Sequence, residues 1–131
     1  SITGGLISSS LVKNPGISKY FIGSDIVYTN ESKKILLNDE NINFDDWEEL
    51  SYNLTESSLN KYKSNVALTI LGEAGPISSR QYPVGTIFIC ISNGEKTVIS
   101  DHKMNGNRAE ILERAGNKAQ WELIKFIKNL Y

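Results

Sequence analysis

The sequence predicts a layered α/β domain built around a mixed sheet. Apolar residues at helical spacing alternate along the 131-residue chain with compact runs of β-branched and aromatic residues, and this alternation is typical of helices packed on a sheet. The pair Asn93-Gly94 is the strongest short hairpin signal and indicates that at least two strands are antiparallel neighbours. The length suits one domain, residues 1–131, with a single core.

The first third of the chain predicts two short helices and a strand. Apolar residues at helical spacing in Leu6–Leu11 are followed by Asn14-Pro15-Gly16, which should end the first helix. Residues 20–28 mix aromatic and β-branched side chains and predict a strand. Asn30 then suits the N-cap of a second helix that carries the apolar residues 35–37.

Two longer helices are predicted beyond this region. The first is amphipathic and runs from Trp47 to about Tyr62, with Asp45 and Asp46 placed to cap it and to oppose its dipole. The second starts near residues 106–108 and occupies the carboxy-terminal part of the chain. Its apolar positions are Ile111, Leu112, Ala115, Ala119, Leu123, Ile127 and Leu130.

Between these helices the sequence predicts three strands. Residues 66–71 form a compact apolar run, and a loop containing glycine and proline separates it from a second run at residues 86–91. Residues 87–91 are all large and apolar, which predicts a strand buried on both faces. Residues 96–103 should return antiparallel to that strand after the Asn93-Gly94 turn.

The composition excludes several classes of function. Lys and Arg total 14 against 15 Asp and Glu, so there is no basic excess for nucleic acid or an anionic membrane. No apolar run approaches the ~18 residues of a membrane-spanning helix. The single cysteine, Cys90, should be a core residue, and we expect a cytoplasmic setting. His102 is the only histidine and has no metal-ligand pattern around it, so we expect neither a metal nor another cofactor.

The chain begins at Ser1 without a methionine, and we expect further residues upstream. An alternative is that Ser1 is a processed amino-terminal nucleophile. Ser1-Ile2-Thr3-Gly4-Gly5 leads into the first helix, where backbone amides can hold an anion or a developing oxyanion. Simple helix capping accounts for the same residues.

Three further segments suggest a site. Residues 28–33 end a predicted strand and open a helix, where Lys33 is either the general base for a serine or a solvated lysine beside Lys34. Residues 72–76 and 83–86 frame a loop whose glycines permit close approach to a ligand but serve ordinary turns equally well. Arg108 at a helix start could grip a phosphate or carboxylate, or lie on the surface.

Taken in order, these segments resemble the CinA (competence/damage-inducible) C-terminal domain family, which includes nicotinamide-nucleotide amidohydrolases. The similarity extends over nearly the whole chain. Four family motifs are matched by Ser1-Ile2-Thr3-Gly4-Gly5, Tyr28-Thr29-Asn30-Glu31-Ser32-Lys33, Gly72-Glu73-Ala74-Gly75-Pro76 and Pro83-Val84-Gly85-Thr86. A fifth, Gly-Asp-Arg, is approximated by Gly106-Asn107-Arg108.

The resemblance implies a three-layer α/β/α sandwich, with a first helix and strand preceding Ser1. It also implies metal-independent deamidation of nicotinamide mononucleotide, a small-molecule substrate, by a Ser1 nucleophile with Lys33 as base and Tyr28 in proton transfer. The oxyanion and substrate residues that it implies are Thr3, Gly4, Gly5, Asn30, Gly72, Ala74, Gly75, Thr86 and Arg108.

One departure from the family pattern concerns the substrate. Glu73 stands where the family motif has an apolar residue, and a carboxylate there repels a phosphate unless Arg80 or Lys33 pairs with it. A non-catalytic nucleotide-binding or regulatory module, or hydrolysis of another amide, therefore remain alternatives. The sequence leaves open whether the chain is a monomer or a homo-oligomer.

Overall fold

The computed structural model describes residues 1–78 and 82–129. Four helices, three strands and one 3₁₀ turn follow one another along these residues. In chain order they are α1 (Leu6–Leu11), the 3₁₀ turn (Ile17–Lys19), α2 (Asn30–Leu37), α3 (Trp47–Tyr62), β1 (Ala67–Gly72), β2 (Thr86–Ser92), β3 (Thr97–Lys103) and α4 (Arg108–Ile127). Leu130, predicted on the apolar face of the last helix, lies outside the described residues.

The three strands form one sheet in the order β1-β2-β3. Both pairs are antiparallel, with Leu71 opposite Phe88 and Ile91 opposite Val98. The prediction of a mixed sheet is therefore wrong for the described part of the chain, because no parallel pair occurs there. β2 is the central strand and is buried on both faces, as its unbroken apolar run predicted.

The strand predicted at residues 20–28 is also absent as a paired element. These residues alternate between partly buried and exposed positions, as a strand would, but no ladder of hydrogen bonds joins them to the sheet. The prediction of a strand is therefore wrong here, although the alternating burial expected of a strand is present. A strand needs a neighbouring strand to bond with, as well as side chains whose burial alternates with a period of two residues.

Alternate residues of the sheet pack against helices on opposite faces. Ile87, Ile89 and Ile91 share one apolar cluster with α4 residues, whereas Phe88 and Leu71 pack in a second cluster with α3 residues. α1 contacts α4 on the first face and α2 contacts α3 on the second. The chain is therefore an α/β domain of three layers, α/β/α, as the family resemblance implied.

Helix ends follow local capping chemistry. Asp46 accepts a hydrogen bond from the Glu49 amide at the start of α3, as expected. The N-cap of α2 is Thr29 rather than the predicted Asn30, because the Thr29 hydroxyl and the Ser32 side chain satisfy each other's backbone amides in a capping box. Among the described residues, no helix combines the length and the apolar character needed to cross a membrane.

Candidate active site

A polar pocket of about 260 Å³ opens beside the end of β1 and the starts of α2, α3 and α4. The three residues predicted for catalysis, Ser1, Tyr28 and Lys33, all line it. Its other described lining residues are Ile2, Asn30, Trp47, Leu50, Leu71, Gly72, Glu73, Ala74 and Arg108. Folding thus brings together residues that the chain separates widely, including four of those predicted to contact substrate.

Ser1 is held at the end of β1. Its backbone nitrogen donates a hydrogen bond to the Ile70 carbonyl over 2.7 Å. Burial and, after it, the nearby charge of Lys33 lower the pKa of its α-amine to about 5. Ser1 and Lys33 both line the polar pocket.

Gly72 makes room for this arrangement. A Cβ atom on Gly72 would lie 2.5 Å from Cδ1 of Ile2, 2.9 Å from the Ile87 side chain and 3.0 Å from the Thr86 carbonyl oxygen. Only a glycine lets the residue after Ser1 pack this closely on the end of the strand. The role of this glycine is therefore to position the start of the chain.

Lys33 is buried, with 5% of its surface exposed. Its Nζ donates a hydrogen bond to the Tyr28 carbonyl over 3.2 Å. The next residue, Lys34, instead approaches Glu31 at 3.9 Å on the outer side of α2. The solvated alternative is therefore wrong for Lys33, whereas its direct reach to the Ser1 hydroxyl stays a prediction.

Arg108 connects two sides of the pocket. Its Nη1 donates to the Gly75 carbonyl over 2.5 Å and its Nη2 donates to the Tyr28 hydroxyl over 2.8 Å. Tyr28 is 54% exposed, so this guanidinium bond is what orients its ring at the pocket. Arg108 thus acts here as a bridge within the protein.

The loop after β1 continues the sheet toward the pocket. The Glu73 amide donates to the Thr86 carbonyl over 3.0 Å, and the Gly85 amide donates to the Glu73 carbonyl over 2.7 Å. Gly75 has a φ of +75°, and a Cβ there would lie 2.7 Å from Val84. Thr86 and Gly75 hold the shape of the loop without lining the pocket themselves.

The predicted oxyanion residues lie on the other side of Ser1. Thr3 and Gly5 line a second, mostly apolar groove of about 350 Å³ along β1, and Ser1 borders both cavities. The Gly4 amide donates to the Ser1 carbonyl over 3.2 Å, which closes a turn with left-handed glycines. The oxyanion role of residues 3–5 stays a prediction.

Sequence reasoning missed the aromatic wall of the pocket. The helical spacing of Trp47 indicated only a core residue, yet its ring lines the pocket while stacking on Tyr82 at 4.3 Å and meeting Phe88 edge-on. Nothing in the local sequence distinguishes these two roles. Among residues 1–78 and 82–129, no three His, Cys, Asp or Glu side chains group as metal ligands would.

Fold and pocket together define a class: a three-layer α/β domain with a small polar pocket at the end of its sheet. The family model described as the CinA C-terminal domain matches residues 1–127. The chain belongs to this family.

Related proteins agree with this assignment. A CinA-like protein of Petrotoga mobilis is 31% identical over 140 residues, which cover all of this chain and 34% of that protein. A CinA-like protein of Fusobacterium nucleatum is 30% identical and is matched over 97% of this chain and 32% of its own length. The chain thus spans about a third of these curated relatives.

A solved structure of similar fold is a competence-damaged protein (CinA) superfamily protein from Enterobacter cloacae. It superposes with a TM-score of 0.87 at 22% identity, covering 95% of this chain and 77% of that one. This likeness shows the fold.

Proposed function

We propose that the domain is a metal-independent amidohydrolase that converts nicotinamide mononucleotide to nicotinate mononucleotide and ammonia. One water is consumed: the carbon–nitrogen bond of the carboxamide breaks, and the carbon gains an oxygen. The observation that carries the proposal is that Ser1, Lys33 and Tyr28 line one pocket although they come from three separate parts of the chain.

Each of the three residues has a role that its position supports. Lys33 would accept the hydroxyl proton of Ser1, a role that its buried position in the same pocket supports. The Ser1 oxygen would then attack the carboxamide carbon and form a tetrahedral intermediate.

The second half of the reaction needs proton delivery and water. Tyr28, held by Arg108 at the pocket, would relay a proton to the departing ammonia. Water would then hydrolyse the ester on Ser1 and release the carboxylate. The family resemblance assigns the oxyanion to the backbone amides of residues 3–5, of which the Gly4 amide would first have to release the Ser1 carbonyl. One such donor typically contributes about 10²–10³ in rate.

A second candidate is a non-catalytic module of the same fold that binds a nucleotide. The observation that favours it is Glu73, which lines the pocket at a position where the family motif has an apolar residue. In that case Lys33 and Arg108 would serve binding alone.

The test is ammonia release from nicotinamide mononucleotide by the full-length natural protein, with Ser1→Ala as the matched control. The proposal expects release by the native protein that the variant loses. Release no faster than that of Ser1→Ala would overturn it, and tight binding without turnover would instead support the non-catalytic module.

A further inference from the structure

Resting on the proposed function, we infer that the side chain of Asn30 holds the carboxamide of the substrate and stabilises the oxyanion. Its Oδ1 accepts a hydrogen bond from the carboxamide nitrogen, and its Nδ2 donates one to the carboxamide oxygen. Asn30 is thus a catalytic residue of this pocket, and it selects primary amides as the substrate class.

The side-chain amide of Asn30 is free to bind a ligand. Asn30 is half-buried and lines the polar pocket together with Ser1 and Lys33. Among residues 1–78 and 82–129, no group forms a hydrogen bond with this amide. An asparagine amide offers an acceptor oxygen and two N–H donors. All of these are left for a molecule in the pocket.

Three charged side chains of the pocket are already engaged within the protein. Nζ of Lys33 donates to the Tyr28 carbonyl, and both Nη atoms of Arg108 donate to protein oxygens. Glu73 has an interaction of its own within the protein. A primary carboxamide needs an acceptor for its N–H groups and a donor for its oxygen. Asn30 offers both without giving up an internal bond.

Pairing with Asn30 leaves the carboxamide carbon open to attack. Two primary amides pair edge to edge in one plane through two hydrogen bonds. A nucleophile reaches a carbonyl carbon from above or below that plane, so the Ser1 oxygen can form its bond while the pair persists. The carbonyl π electrons then move to the oxygen, whose negative charge Nδ2 stabilises. The nitrogen departs as ammonia with the proton that Tyr28 relays.

The placement of residues 3–5 also favours an oxyanion donor on α2. None of these residues lines the polar pocket. Thr3 and Gly5 line the apolar groove, and the Gly4 amide is already bonded within its own turn. Asn30, by contrast, lines the polar pocket from the first residue of α2. Asparagine side chains are known oxyanion donors in enzymes.

The helix holds the backbone of Asn30 in place without using its side chain. Thr29 is the N-cap, and Thr29 and Ser32 satisfy each other's backbone amides. Substitutions at Asn30 therefore remove no cap, and an aspartate in the first turn of a helix is favourable. We expect Asn30→Asp and Asn30→Leu to fold.

The first test measures binding by isothermal titration calorimetry in a Ser1→Ala background of the full-length natural protein. The probes are nicotinamide mononucleotide and acetylpyridine mononucleotide, whose methyl ketone keeps the carbonyl oxygen but has no N–H. We expect the amide to bind about tenfold more tightly than the ketone. Asn30→Leu should abolish this preference. Asn30→Asp should preserve it, because the carboxylate still accepts the N–H bond.

The second test measures ammonia release with Ser1 intact. Asn30→Asp should lower kcat by about 10²–10³, because a carboxylate cannot donate to the oxyanion. Asn53→Asp and Asn53→Leu are the matched controls, since Asn53 is exposed on α3 outside the pocket. These controls should leave the binding preference and kcat within about twofold of the native values.

Four results would overturn the inference. They are equal binding of the two probes, a preference that Asn30→Leu leaves unchanged, no binding of either probe, and a kcat of Asn30→Asp equal to that of Asn53→Asp. The comparison of amide with ketone needs no substitution at Asn30, so it decides the matter even if a variant at Asn30 folds poorly.

The outcome is separable from that of the proposed function. Ammonia released as fast by Asn30→Asp as by the native protein would overturn the role of Asn30 alone and leave the hydrolase proposal standing. A preference for the amide that Asn30→Leu abolishes, without ammonia release by the native protein, would overturn the hydrolase proposal and leave recognition of the carboxamide by Asn30 standing.

Discussion

At the scale of single residues, two adjacent lysines show that the position of a residue on a helix decides whether its side chain lies in the pocket or on the surface. Lys33 and Lys34 have the same chemistry, but α2 turns the first into the pocket and leaves the second beside Glu31. A rotation of about 100° along the helix therefore decides which lysine can act as base. This difference supplies a pair of matched variants.

We predict that Lys33→Met lowers the rate of ammonia release by about 10²–10⁴, the usual contribution of a general base. Methionine keeps most of the side-chain volume, so the fold should persist in circular dichroism. Lys34→Met, the control on the same helix, should change the rate less than about twofold. Equal losses in the two variants would contradict the role of Lys33.

Gly72 allows a sharp prediction about packing. Gly72→Ala places a methyl group against Ile2, Ile87 and the Thr86 carbonyl, which should cost about 1–3 kcal/mol of unfolding free energy. It should also lower activity by displacing Ser1. Urea unfolding and the activity assay measure the two effects.

Gly116→Ala is the matched control for this variant. Its Cβ would meet the end of the Leu6 side chain at 3.1 Å and the Thr3 methyl group at 4.0 Å, and alanine favours the helix by about 1 kcal/mol. We expect its stability to stay within about 1 kcal/mol of the native protein. A Gly72→Ala protein as stable and active as this control would show that Ile2 adapts easily.

At the scale of elements, the start of α4 joins parts of the pocket that no strand connects. Arg108 bonds to the loop after β1 and to the end of the extended segment before α2. Both acceptors are met by one rigid guanidinium, which a lysine cannot reproduce. The contribution of this connection can be measured by coupling two substitutions.

We predict that Arg108→Lys and Tyr28→Phe each lower kcat/KM about tenfold, and that the double variant is little worse than either one. Such non-additivity identifies residues that act through a shared contact. Arg114→Lys, farther along α4 and paired with Glu110, should be close to native. Fully additive losses would mean that Arg108 and Tyr28 act independently.

The elements themselves were predictable where their signals are local. Residues from Trp47 to Tyr62 carry a helical period with Asp46 before it, and α3 has these bounds. The hairpin of β2 and β3 follows from Asn93-Gly94 in the same way. The mixed sheet and the pairing of residues 20–28 were not predictable, because they depend on neighbours distant along the chain.

The sequence predicted which residues belong to the candidate site better than it predicted how they are arranged. The motifs named Ser1, Tyr28 and Lys33, and folding places all three at one pocket. No pattern in the sequence indicated that Trp47 would line the pocket or that Arg108 would bond to two sides of it. Both arise from packing between layers, which a sequence pattern does not encode.

At the scale of the whole molecule, the face of the sheet away from α3 carries a titrating group. His102 shares a hydrogen bond of 2.9 Å with Ser100 and lies near the α4 residues Lys118 and Glu122. Burial, followed by the charge of Lys118, lowers the pKa of His102 below its usual value of 6.5. The unfolded chain therefore binds this proton at a higher pH than the folded one does.

We predict that stability falls as the pH drops from about 7.5 to about 5.5, because protons then favour the unfolded chain. His102→Gln removes this part of the pH dependence, so its urea midpoint should fall less over the same range. The native protein and the variant are compared by urea unfolding at both pH values. Equal falls in the two proteins would assign the pH dependence to other groups.

Trp47 gives the pocket its own optical signal. The other tryptophan, Trp121, is 54% exposed on α4, so Trp121→Phe leaves one tryptophan, and that tryptophan lines the pocket. The pyridinium ring of the proposed substrate is an electron acceptor, so its binding in the pocket should quench this emission. Ligand occupancy can then be followed in real time without a label.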